Sequence, residues 1–118
     1  MKIYVHGGKK YHKDITRSVI EWCLDFFNLP EKMKISVELI ERRKDIDCWG
    51  ECEEGKNKHE YNIKIVYDQT LRDFMATITH ELVHVNQWET GEWEGDGEKE
   101  AEMFQYILAD QIWRKVKL

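Results

Sequence analysis

The sequence has one proline, Pro30, among its 118 residues, and no stretch rich in Pro, Gly or Ser that would serve as a linker or low-complexity tail. Charged residues make up 35% and hydrophobic ones 42%, a balance that excludes a disordered chain and fits one compact domain over 1–118. No apolar run approaches the ~20 residues that span a bilayer. The first residues also lack the charged-then-apolar pattern of a signal peptide, so a cytoplasmic protein without a membrane segment is expected. Cysteine is scarce and odd in number: Cys23, Cys48 and Cys52 form no disulfide framework, and reduced thiols are the expectation. Cys48 and Cys52 with His59 match structural zinc spacing poorly. An excess of positive charge is missing too. The net charge of −5 disfavours nucleic acid as the main partner, and Arg42-Arg43-Lys44 is too short a basic run to reverse that. What the chain does have is core material: five Trp, five Tyr and four Phe, in a length that buries roughly two-thirds of its unfolded surface.

Along the chain, Lys2 to Val5 reads as a short strand ended by Gly7-Gly8. Asp14 can cap a helix to about Asn28, with Ile15, Val19, Trp22, Cys23, Phe26 and Phe27 facing the core and Pro30 closing it. From Lys34 to Glu41, Ile35, Val37 and Leu39 alternate with polar residues, as in a half-buried strand. Residues 46–53 and 60–67 form an expected hairpin around Gly55-Lys56-Asn57. Two helices follow. The expected fold is α+β, in the order β-α-β-β-β-α-α, with both last helices packed on a small twisted sheet. Residues 47–52 are the candidate edge strand, where Gly50 permits close backbone approach and where an extended peptide can pair; an ordinary outer strand is the alternative.

The informative segment is the first of these two helices. Thr70-Leu71-Arg72-Asp73 resembles a capping box, the run to Glu89 holds neither proline nor glycine, and Gly91 supplies a stop. Leu71, Phe74, Met75, Ile78, Leu82 and Val85 share one apolar stripe. Off that stripe lies His80-Glu81-Leu82-Val83-His84, an HExxH sequence. Histidines four apart on a helix stand about 5–6 Å from one another, so both imidazoles can hold one metal ion. Glu81 between them suits a general base for a water on that ion. The alternative is a pair of exposed surface histidines with Glu81 beside them by coincidence.

A catalytic zinc takes a third protein ligand and leaves one position open. No histidine follows His84, since His6, His12 and His59 all precede it. Acids follow instead: Glu89, Glu92, Glu94, Asp96, Glu98, Glu100 and Glu102. Most suit a solvated loop and a helix start. The final helix, capped by Asp96 or Gly97 and reaching about Lys115, places Glu100 with Met103, Phe104, Ile107 and Gln111, a face expected to be buried. A buried carboxylate needs a partner, so Glu100 is the expected third ligand, ahead of Glu102 and then Glu98.

The phrase Thr79-His80-Glu81-Leu82-Val83-His84-Val85, followed by Glu100-Ala101-Glu102-Met103-Phe104, resembles the gluzincin branch of the zincin metallopeptidases. The Glu-Ala-x-x-Phe run also resembles the ImmA/IrrE-type peptidases of phage and mobile elements, and the chain's size is similar to single-domain minigluzincins. The resemblance covers residues 70–112. It implies a zincin-like domain with one Zn²⁺ per chain, held by His80, His84 and Glu100, with Glu81 as general base and acid. The implied activity is hydrolysis of peptide bonds in an extended peptide or protein substrate by a monomer. The downstream histidine with which some gluzincins stabilise the oxyanion is missing, and Tyr106 is the substitute candidate. The alternative reading is a latent or inactive zinc-stabilised protein-binding module.

Overall fold

The computed structural model describes residues 2–42 and 48–116, so Arg43, Lys44 and the start of the expected strand at 46–47 lie outside the described residues. Among the described residues seven elements occur in the order β-α-β-β-β-α-α: β1 (Lys2–His6), α1 (Lys10–Phe26), β2 (Lys34–Ile40), β3 (Gly50–Glu54), β4 (Glu60–Val66), α2 (Leu71–Thr90) and α3 (Glu98–Val116). The fold is α+β, as the residue patterns imply. The sheet is mixed and open, ordered β1-β2-β4-β3. Strand β1 runs parallel to β2 and β2 parallel to β4, while β3 folds back antiparallel on β4 and forms an edge.

Alternation sets the layers. Ile35, Val37 and Leu39 on β2 and Tyr61, Ile63 and Ile65 on β4 are buried, whereas Glu38, Asn62 and Lys64 between them are exposed. The buried face meets α1 through Ile15, Val19, Cys23 and Leu24, and α2 through Phe74, Ile78, Leu82 and Val85. Burial in this layer pushes the Cys23 thiol up to about 12, leaving it a packing group without thiolate character.

Three details depart from the sequence reading. Helix α1 starts one turn before Asp14: the Lys9 N–H donates to His12 Nδ1 at 3.1 Å, and Asp14 pairs with Lys10 inside the helix. Phe26, expected in the core, is 52% exposed and stacks on Trp22. Helix α3 packs chiefly on α2, with a smaller contact to α1, and adds a layer beyond the helices that cover the sheet.

The β3–β4 turn is tied to the end of α2. His59, held at φ 65 in the turn, places Nδ1 2.6 Å from a Glu89 carboxylate oxygen, and the Tyr61 hydroxyl donates to the other. The Tyr61 ring lies parallel to that of Trp88, one residue before Glu89. Removing a carboxylate shared by buried Tyr61 and half-buried His59 leaves both without this partner, at a cost of about 1–3 kcal/mol. Glu89→Ala is therefore expected to lower the melting temperature while leaving metal content unchanged. Loss of metal along with stability would show that the turn and the site are coupled.

Candidate metal centre

Helix α2 begins as its sequence suggests. The Thr70 hydroxyl accepts from the Asp73 N–H at 3.2 Å, and Gly91 ends the helix in the left-handed region at φ 72. The Asp73 carboxylate does not reach back to complete a capping box; it accepts from the Tyr106 hydroxyl at 2.6 Å. The stripe formed by Phe74, Met75, Ile78, Leu82 and Val85 is buried, while Leu71 at its start is exposed. His80 and His84 lie one turn apart off this stripe, ring centroids 5.0 Å apart, facing α3.

The acid that meets them is Glu98, not Glu100. One Glu98 oxygen lies 3.0 Å from His80 Nε2 and the other 2.8 Å from His84 Nε2. One donor atom from each of His80, His84 and Glu98 falls within 4.8 Å of the others, so the group could hold a metal ion. Two imidazoles and a carboxylate are a donor set suited to zinc, and the cleft in front leaves room for a further ligand. Glu100 instead accepts from the Gln87 side-chain nitrogen at 2.9 Å, and Glu102 lines the cleft without joining the group. The face assigned to Glu100 is not the buried one: Met103, Phe104 and Ile107 are all exposed. Among the described residues of α3, Ala101, Leu108, Ala109 and Ile112 are buried. On a helix of 3.6 residues per turn they share a face with Glu98 and Gln105, centred more than a third of a turn from Glu100. Ala101 meets Val83 of α2, and this small side chain brings the first turn of α3 close enough for Glu98 to reach both histidines. The Asp96 side chain accepts from the Glu98 N–H at 3.0 Å and fixes where the helix starts.

Two glutamines complete the ring environment. His80 Nδ1 lies 2.6 Å from Gln105 Oε1, and His84 Nδ1 lies 2.9 Å from Gln87 Oε1. Sequence reasoning missed this role for both. The signal was present only as spacing: Gln87 is three residues past His84, and Gln105 is seven past Glu98 on the same side of α3.

Glu81 is 4% exposed and turned toward β3. Burial first, then the negative charges of Glu98 and Glu51, pushes its carboxyl up to about 8, so the metal-free protein holds it largely protonated at neutral pH. Strand β3 passes directly over it. A Cβ on Gly50 would come 2.8 Å from Thr77 Cγ2 and 3.1 Å from Glu81 Oε2, the close backbone approach its sequence position suggests. Gly50→Val is accordingly expected to push β3 off α2, seen as a lower melting temperature and stronger quenching of the nearby Trp49 by acrylamide. An unchanged Trp49 environment would count against this contact.

The cleft has a volume of about 1340 Å³ and is bounded by β3, the exposed side of α2 and the first turns of α3. Its described lining includes Glu51, Asp68, Asp96 and Glu102 and no Lys or Arg. The Trp49 carbonyl accepts from the Val66 N–H at 2.8 Å and the Gly55 N–H donates to the Glu60 carbonyl at 2.7 Å. Alternation in an antiparallel ladder then turns the backbone groups of Gly50, Cys52 and Glu54 to the open edge. Tyr106 also lines the cleft, but its hydroxyl is occupied by Asp73 and the Arg72 guanidinium lies 4.4 Å over its ring.

Fold and site together define a small α+β domain with a helix-borne His-His-Glu group able to hold a metal, beside a buried glutamate. Comparison with protein-family models, with curated proteins and with solved structures gives no match to this chain. Among the described residues no helix is long and apolar enough to cross a membrane.

Proposed function

We propose that this chain is a zinc metallopeptidase of the gluzincin type, with His80, His84 and Glu98 as the metal ligands and Glu81 as the general base. The observation that carries the reading is the convergence of three donor atoms beside a buried carboxylate, next to a strand edge. Zinc at such a site polarises a carbonyl and acidifies a water. The chain's own residues do the rest. Glu81 accepts the proton of the water that adds to the peptide carbonyl carbon, then passes it to the amine as the C–N bond breaks. The open edge of β3 pairs with an extended segment of a peptide or protein and holds it across the histidines. The acidic Glu81, neutral when no metal is present, becomes a usable base once a cation beside it favours the carboxylate.

The experiment is elemental analysis of protein purified without chelator, followed by incubation with an unstructured peptide mixture. About one zinc per chain and chelator-sensitive cleavage are expected. A second reading, a latent zinc-stabilised module that binds protein without turnover, is favoured by one observation: the Tyr106 hydroxyl, the candidate oxyanion donor, is held by Asp73. Zinc without cleavage would select that reading, and absence of zinc would overturn both.

A further inference from the structure

Resting on the metal-site reading but not on peptidase activity, we infer that Gln87 and Gln105 are positioning residues for the two histidines. They hold each ring with Nδ1 protonated and Nε2 directed at the ion. Gln87 is 2% exposed, so its amide must find partners inside the protein. Its nitrogen donates to the Gly97 carbonyl and to a Glu100 oxygen, both at 2.9 Å. Neither of those atoms can donate, which fixes the amide with Oε1 toward His84. An amide oxygen can only accept, so His84 Nδ1 carries the proton and Nε2 is left for the metal. On the other ring, Gln105 Oε1 lies 2.6 Å from His80 Nδ1 and reaches it from α3.

The chain is built around this arrangement. Gly97 has φ +80, and a Cβ there would fall 2.1 Å from Gln87 Oε1 and 2.8 Å from its amide carbon. A side chain at 97 would therefore displace the amide as well as strain the backbone. Glu100 acquires a defined role: it is an acceptor that orients Gln87, one step removed from the ion. The glutamines also join the two helices that share the ligands, since Gln87 on α2 holds the loop and first turn of α3, and Gln105 on α3 holds a ring on α2. Outer partners of metal-bound histidines typically contribute 10–100-fold in metal affinity.

The test has two parts. Ring-nitrogen NMR of metal-free Glu98→Ala at pH 8.5 reads the His84 tautomer with the competing carboxylate gone. His84 is expected with its proton on Nδ1, and adding Gln87→Leu should shift it toward Nε2. A proton on Nε2 while Gln87 is intact would overturn the proposal whether or not zinc binds. The second part is zinc affinity by competition with a chromophoric chelator. Gln87→Leu is expected to weaken it about 10–100-fold at an unchanged far-UV spectrum. Gln87→Glu should weaken it as well by setting two carboxylates against each other. The exchange Gln87→Glu with Glu100→Gln restores one acceptor for His84 and one donor to support it, though it leaves the Gly97 carbonyl facing a carboxylate oxygen, and should recover part of the affinity. If the exchanged pair is no better than Gln87→Glu alone, Gln87 acts only through packing and the positioning role is wrong.

Discussion

Glu98→Ala is expected to lower zinc affinity by more than roughly 100-fold, beyond the 10–100-fold that an outer partner contributes. Among the described residues Glu98 is the only acid that touches both ring nitrogens, so its loss removes one of three donors. Glu100→Ala removes only an acceptor for Gln87 and should weaken binding about 10-fold. Glu102→Ala, which touches neither ring, should leave the affinity unchanged within about 2-fold, as for a surface substitution away from the site. Zinc competition on the three variants gives the order directly. The same series should appear in stability, because metal binding is linked to folding: the zinc-dependent part of the melting temperature should shrink most in Glu98→Ala. If Glu100→Ala releases zinc and Glu98→Ala does not, the first turn of α3 is rotated from the position described.

The contrast between these two acids also shows where sequence patterns stop. Helix α2 was legible because three independent signals agreed on it: Thr70 and Gly91 at its ends, and the apolar stripe between them. The β2 and β4 alternations were legible for the same reason, as only one face of that sheet is covered. Helix α3 defeated the apolar-face rule. Its large apolar residues Met103, Phe104, Ile107 and Trp113 are exposed, and small Ala101 and Ala109 lie inside with Leu108 and Ile112. A wheel weights side chains by hydrophobicity, but close packing of two helices selects small residues at the contact, and that selection depends on the partner. Glu98 could have been found from its place on the Ala101–Gln105–Leu108 side. The start of α1 was missed because the ring nitrogen of His12, rather than an oxygen side chain, accepts the early amide. The fold order and the two histidines with their glutamate could be read from local spacing. The third acid and the two glutamines depend on how α3 lies on α2, which no local pattern encodes.

Glu81→Gln should abolish hydrolysis while raising the stability of the metal-free protein, two effects of opposite value from one buried carboxyl. On activity, glutamine keeps the shape and cannot accept a proton, so the rate should fall about 10²–10⁴-fold with zinc retained. On stability, the sign follows from the shift. Burial holds the folded-state carboxyl near 8, well above its ordinary value of 4.5. Between those values the unfolded chain gives up the proton and the folded chain keeps it, so every rise in pH favours unfolding. The penalty begins above pH 4.5, grows to about pH 8 and is then complete. At 1.36 kcal/mol per unit it reaches on the order of 5 kcal/mol. Glutamine has no such penalty, so thermal melts in chelator should show Glu81→Gln and the wild type alike near pH 4.5 and increasingly separated toward pH 8. Zinc beside Glu81 favours the carboxylate, and with metal present the separation should narrow or vanish. Equal melting temperatures at every pH without metal would mean that Glu81 is solvated rather than buried. It would then be poised to act without the cation, and the account of how metal switches on the base would fail.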